Sequence, residues 1–141
     1  MIPKMDLSNL GDMLTVYMID GENDIAGEDC MCNSLDEIYK KMKCKCIDVS
    51  PHRLEDTRLW VICTANDRTE KRGKISALMP DDKISHYGTI IIVGYQMSEL
   101  KRPMMRSLTE KEMKLIAKHM GLIKVGNEYN SYCIYDLEDA E

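Results

Sequence analysis

Six cysteines, at positions 30, 32, 44, 46, 63 and 133, include two Cys-x-Cys pairs, and four such thiols are the residues of this chain best suited to hold a soft metal ion. One residue between ligands is not the spacing of the common zinc ribbons and fingers, which place two to four there. A helix expected over 35–42 also separates the pairs. At 1.5 Å per residue it spans about 12 Å, whereas thiolates on one zinc ion lie roughly 4 Å apart. The expectation is therefore no metal and no cofactor, with metal or redox use of the pairs as the alternatives. Cys44 and Cys46 are expected on one face of a strand, Cys63 in the core and Cys133 in the last strand, as thiols that behave like small hydrophobes.

Asp20-Gly21-Glu22-Asn23-Asp24 sets oxygen ligands at alternate positions, as a calcium loop begins. The pattern then fails, because the sixth position is Ile25 rather than glycine and the twelfth is Met31 rather than a carboxylate. A solvated hairpin turn between Ile19 and Ile25 fits better. No glycine-rich phosphate loop, His-Glu-x-x-His helix or Gly-x-Ser-x-Gly elbow is present. A nucleophilic pair of Cys46 with His52 or His86 would have to be assembled by the fold, and His119 lies off the apolar stripe of its helix and is expected to face solvent. The chain is read as a non-enzyme.

Two basic clusters carry the remaining chemistry. Arg68, Lys71 and Arg72, followed by Lys74, lie on and just after a turn. Lys101, Arg102 and Arg106 precede a helix N-terminus, with Met104 and Met105 between them and Tyr87, Tyr95 and Met97 as neighbours. Free amides at a helix start attract anions, and charge beside apolar area is what interface centres offer. The candidate binding residues are thus Arg68, Lys71, Arg72, Tyr87, Lys101, Arg102, Met104, Met105 and Arg106.

The elements that must position them follow from periodicity. Leu59 to Cys63 and Thr89 to Val93 are short, β-branched and apolar throughout, which predicts central strands covered on both faces. Ile75 to Met79 is expected to return beside the first of them. Ser34-Leu35-Asp36-Glu37 and Ser107-Leu108-Thr109-Glu110 read as capping boxes. Leu35, Ile38, Tyr39 and Met42 follow the first as a buried stripe; Met113, Ile116, Ala117 and Met120 follow the second, with Gly121 as the stop. Leu122 to Asp136 adds a further strand or hairpin.

In this order the segments resemble a family found in phages and mobile genetic elements, the domain of unknown function numbered thirty-eight forty-six. The residues that carry the likeness are Leu14 to Met18, the helix from Ser34 to Met42, the strands about Trp60 and Gly73-Lys74, Ala77 to Pro80, Gly88 to Gly94 and Ser107 to Glu110, together roughly 14–117. Lys43-Cys44-Lys45-Cys46 stands where that family tends to have paired glycines. The resemblance implies a small accessory protein of phages and integrated elements, with counter-defence or host takeover as the expected role.

Composition bounds these readings. A domain of 141 residues can form one core, burying about 68% of its unfolded surface. No apolar run approaches the length of a membrane span and the start lacks the plan of a signal peptide, so a cytoplasmic protein is expected. The formal charge of −5 disfavours nucleic acid as a direct partner. The absence of Phe beside 12 Met and 7 Tyr leaves adaptable and amphipathic side chains to do much of the packing and contact.

The expectation is an α+β fold: a mostly antiparallel sheet of five to seven strands with two helices packed on one face. Its parts are an N-terminal tail over 1–12, the main domain over 13–120, and an extension with an acidic tail over 121–141. The expected function is inhibition of a bacterial defence effector or nuclease complex by direct protein binding, in the manner of an anti-CRISPR or another anti-defence protein. The alternative is capture of a small phosphorylated or nucleotide signal.

Overall fold

Leu59-Trp60-Val61-Ile62-Cys63 and Ile90-Ile91-Ile92-Val93 are buried at every position. Strand side chains alternate between two faces, so runs buried throughout need cover on both. A computed structural model describes residues 4–20, 25–64, 75–77, 85–87, 89–125 and 129–140, with 75–77, 85–87, 123–125 and 129–131 described by their backbone alone. In chain order its elements are β1 (Met13–Asp20), β2 (Ile25–Cys32), α1 (Leu35–Met42), β3 (Ile47–Leu54), β4 (Thr57–Thr64), β5 (Ile75–Ala77), β6 (Ser85–Tyr87), β7 (Thr89–Met97), β8 (Pro103–Arg106), α2 (Glu110–His119), β9 (Met120–Val125), β10 (Tyr129–Ile134) and β11 (Leu137–Asp139).

The main sheet has seven antiparallel strands in the order β11-β3-β4-β7-β1-β2, and β8 pairs with the last residues of β7. Both apolar runs are central, as their sequences require. The second sheet has the order β6-β5-β10-β9. Ile75–Ala77 belongs to it and pairs with β6 and β10, so it does not lie beside β4, whose neighbours are β3 and β7. The turn expected over 66–73 lies outside the described residues, as does the turn within the β1–β2 hairpin, although the pairing of Asp20 with Ile25 closes that hairpin.

The α+β class and the antiparallel sheet are as expected; the placement of both helices on one face is not. Val16, Trp60, Ile62, Ile91 and Val93 pack with Ile38 and Met42 of α1. Their strand neighbours Tyr17, Val61 and Ile92 pack with Ile116 of α2 and Ile134 of β10. The helices therefore cover opposite faces. The cause is in β4 and β7: two-sided apolar strands need a layer on each side, and α2 shares its side with the second sheet.

Local corrections have similar reasons. Ser34 is the N-cap of α1 but makes no side-chain capping bond, and Leu35 is 48% exposed, leaving Ile38 and Met42 as the buried pair. Lys43 adopts the left-handed region at φ 55°, and its amide and that of Cys44 bond back to Lys40 and Tyr39. Cys44 consequently lies in this turn and Cys46 just before β3, neither of them on a strand. Thr109, not Ser107, caps α2: its Oγ1 accepts from the Glu112 amide at 3.1 Å and the Glu112 carboxylate accepts from the Thr109 amide at 2.9 Å. Ser107 instead accepts from the Thr15 amide at 2.9 Å, while the Leu108 amide donates to the Thr15 carbonyl at 2.9 Å. Gly121 is no helix stop; it lies in β9, where a Cβ would come 2.3 Å from Cε2 of Tyr135.

The two ends of the described chain are tied down. The Asp6 amide donates to the Pro103 carbonyl at 2.8 Å and the Gly11 amide to Asn33 at 2.9 Å. At the other end β9 and β10 form the expected hairpin, and Leu137 then pairs with Leu54 to start an edge strand. Residues 137–139 are thus a strand of the main sheet and not a free acidic tail.

Candidate functional site

A tight hairpin joins β7 to β8, with Met97 opposite Pro103 and Gly94 opposite Arg106. Its tip, residues 98–102, closes through the Ser98 amide on the Arg102 carbonyl at 2.8 Å, the Lys101 amide on the Ser98 carbonyl at 2.9 Å, and the Arg102 amide on Ser98 Oγ at 3.3 Å. Lys101 takes the left-handed conformation, φ 58°, that this closure requires. The turn thereby holds Leu100 out at 72% exposure, with Lys101 and Arg102 exposed next to it and Met97 at 51%.

The N-terminal turn supports this tip from one side. Besides the bond from its amide, Asp6 accepts from the Ser8 amide at 2.8 Å, and its carboxyl is held below the usual carboxylate range by that bond first, then by the Ser98 and Ser8 side chains and the charge of Arg102. Ser8 Oγ lies 3.7 Å from Met104 Sδ, and the Asn9 side-chain amide donates to the Met105 carbonyl. Leu7 and Leu10, exposed at 60% and 59%, belong to this same turn. Basic and apolar groups therefore share one end of the molecule.

The expected site residues separate. Lys101 and Arg102 are on this tip and Met104 is half-buried beneath the N-terminal turn. Met105 faces the other way, into the core at 4% exposure against Trp60, Val93 and their neighbours, so it offers no surface. Arg106 is engaged: Nη1 and Nη2 donate to Oε1 and Oε2 of Glu112 at 2.7 and 2.9 Å, and Nη1 also donates to the Ser107 carbonyl at 2.8 Å. These bonds hold the Glu112 carboxyl below, and the guanidinium above, their ordinary ranges. The approach is so close at Gly94 that a Cβ there would lie 2.4 Å from Arg106 Nη1 and 2.8 Å from its carbonyl oxygen.

Arg68, Lys71 and Arg72 lie outside the described residues. Tyr87 ends β6 in the second sheet, just before the far end of β7. Eight steps of about 3.3 Å along that strand put roughly 26 Å between its start and the tip, so Tyr87 does not join Lys101. Sequence reasoning missed Leu7, Leu10 and Leu100. The signal for Leu100 was its setting, one apolar residue inside Ser98-Glu99-Leu100-Lys101-Arg102, where a core residue is out of place.

Elsewhere the chemistry considered from sequence is not assembled. Cys46 precedes β3 and His52 lies six residues further along, about 20 Å at the rise of a strand, which is far beyond the reach of a nucleophile and its base. His86 has no described side chain. His119 does not face solvent: Nε2 meets Glu55 Oε2 at 2.9 Å and Nδ1 meets Asp136 Oδ2 at 3.5 Å, with the side chain 12% exposed. Among the described residues no group of three His, Cys, Asp or Glu side chains is placed to hold a metal ion, and no helix is long and apolar enough to cross a membrane. Arg58 lies 5.0 Å from the Tyr95 ring centroid, and Tyr95 lies 5.3 Å from Trp60. No family model, curated protein or solved structure matches the chain.

Proposed function

We propose that this chain is a non-enzymatic accessory protein of a phage or mobile element, which inhibits a bacterial defence effector by docking the β7–β8 tip onto it. The observation that carries the docking surface is the pairing of Leu100, 72% exposed, with the adjacent cations Lys101 and Arg102 on a turn closed by three hydrogen bonds. A tip fixed before contact loses little conformational freedom on binding. An apolar side chain flanked by cations fits an acidic surface that carries an apolar pocket, where the leucine is desolvated and the charges guide approach. The counter-defence role rests on the resemblance, read from the order of segments in the sequence, to the phage family.

The test is plating of a defence-sensitive phage on defended cells that express the protein. Wild type is expected to restore plaques, and Leu100→Asp combined with Lys101→Glu and Arg102→Glu to abolish the rescue while the purified variant keeps the wild-type melting temperature. Rescue by the folded triple variant equal to wild type would remove the tip from the mechanism. Failure of wild type against a panel of nuclease-based defences would remove the counter-defence role.

A further inference from the structure

We propose that the outer edge of β2 accepts an extended, basic segment of a partner protein as an added antiparallel strand. β2 runs for eight residues and, among the described residues, pairs only with β1, so it ends the main sheet. Which of its backbone groups point outward follows from one contact. Thr15 stands opposite Cys30, yet the Thr15 amide donates to Ser107 Oγ and its carbonyl accepts from the Leu108 amide, both on the side away from β2. Residues directly opposite in an antiparallel pair exchange both bonds or neither. Thr15 and Cys30 therefore exchange none, and the amides and carbonyls of Ala26, Glu28, Cys30 and Cys32 face the open edge.

Two of these groups are occupied locally: the Cys30 amide donates to its neighbour Asp29 at 2.7 Å, and the Cys32 carbonyl accepts from Ser34 at 2.8 Å. Both groups of Ala26 and Glu28, the Cys30 carbonyl and the Cys32 amide have no partner among the described residues. Such a row is a template for a further strand. Glu28 and Cys30 are exposed, and a Cβ built on Gly27 meets nothing within 4 Å, which leaves room on one face for a partner's large side chain.

Charge selects the occupant. Residues 20–37 contain no lysine or arginine, and Glu28 and Asp29 point to opposite faces of the edge. Asp29 is matched by Lys41 at 2.8 Å, whereas Glu28 has no cation within salt-bridge distance among the described residues. Two copies of this chain pairing about the middle of β2 would bring the same acidic residues together, which disfavours self-association. A strand with alternate Lys or Arg side chains would instead meet Glu28 favourably across the ladder. The acidic residues that keep copies apart are thus the ones that choose a basic strand. This surface is separate from the β7–β8 tip and does not depend on it.

The probe is a fluorescein-labelled peptide of alternating valine and lysine, about as long as β2, followed by fluorescence anisotropy. The unmodified peptide is expected to bind, and its alternating valine and glutamate counterpart not to. N-methylation of the peptide amides that face β2 keeps the charge and removes the donors, and is expected to weaken binding at least about tenfold, as loss of two or more interstrand bonds would. Glu28→Pro removes one outward donor without breaking the ladder to β1 and is expected to weaken binding about tenfold. If Glu28→Pro fails to fold, Glu28→Lys, which leaves the backbone intact, is expected to weaken binding several-fold. Lys101→Glu with Arg102→Glu should leave it unchanged. Equal binding of the N-methylated and unmodified peptides would reduce the effect to charge alone and overturn strand addition, as would failure of the basic peptide to bind.

Discussion

A guanidinium is a planar fork of donors, and a carboxylate set across it at 2.7 and 2.9 Å uses that geometry fully. Glu112 also closes the cap of α2, so one carboxylate fastens the helix start to β8. Glu112→Gln keeps the capping interaction, since Gln serves in the same box, but loses the ion pair. With Arg106 29% exposed, the expected loss is about 1–3 kcal/mol in urea denaturation. Arg106→Glu, which sets like charges together, should cost more than Lys101→Glu on the exposed tip, which should stay within about 0.5 kcal/mol. Because hydrogen bonds from Arg106 depress the Glu112 pKa, the pair's contribution is complete above the ordinary glutamate range and disappears as pH falls through the depressed folded value. A Glu112→Gln midpoint equal to wild type would show that the pair contributes nothing. The sequence grouped Arg106 with Lys101 and Arg102 by proximity alone. Nothing in a linear reading links positions 106 and 112 across a strand end and a helix cap, and nothing shows that a four-residue strand turns Met105 inward.

At the scale of elements, the helices were legible through their apolar spacing and the central strands through their two-sided apolar runs. The caps were less so. Ser107 and Thr109 are both good N-cap residues, and only the tertiary contact of Ser107 with Thr15 decides between them. Thr109→Ala is therefore expected to cost about 0.5–2 kcal/mol through loss of the bond to the Glu112 amide. Ser34→Ala removes no capping bond and is expected to change stability by no more than about 0.5 kcal/mol. Thermal or urea denaturation of the two single variants separates them, and a larger loss at Ser34 than at Thr109 would refute the assignment. The second sheet escaped sequence reading for a different reason. Its β9–β10 hairpin was legible, but three-residue β5 and β6 carry no long periodic pattern, and the parallel contact of β5 with β10 joins segments more than fifty residues apart.

Across the whole molecule, the C-terminal β11 pairs with β3 at one edge of the main sheet, and an imidazole is buried at their junction. His52 is 3% exposed; its Nε2 lies 3.2 Å from Asp139 Oδ1, and its Nδ1 lies 3.4 Å from both Oγ and the carbonyl oxygen of Ser50. Burial pushes its pKa below the ordinary histidine value, against the opposing pull of Ser50 and the exposed Asp139. A ring that is harder to protonate when folded favours the unfolded state as the solution is acidified. Its stabilisation is complete above the unfolded pKa, about 6.5, and is lost as pH falls from there to the lower folded value. The loss is about 1.4 kcal/mol for each unit of depression. His52→Gln cannot take up a proton, so its stability should fall less than that of wild type between about pH 7.5 and pH 5.5, the range in which histidine titrates. Urea midpoints at several pH values test this. The Glu112 pair acts at lower pH and is common to both proteins, so it does not blur the comparison. Parallel profiles for wild type and His52→Gln would mean that this imidazole does not couple protonation to the seam between β3 and β11.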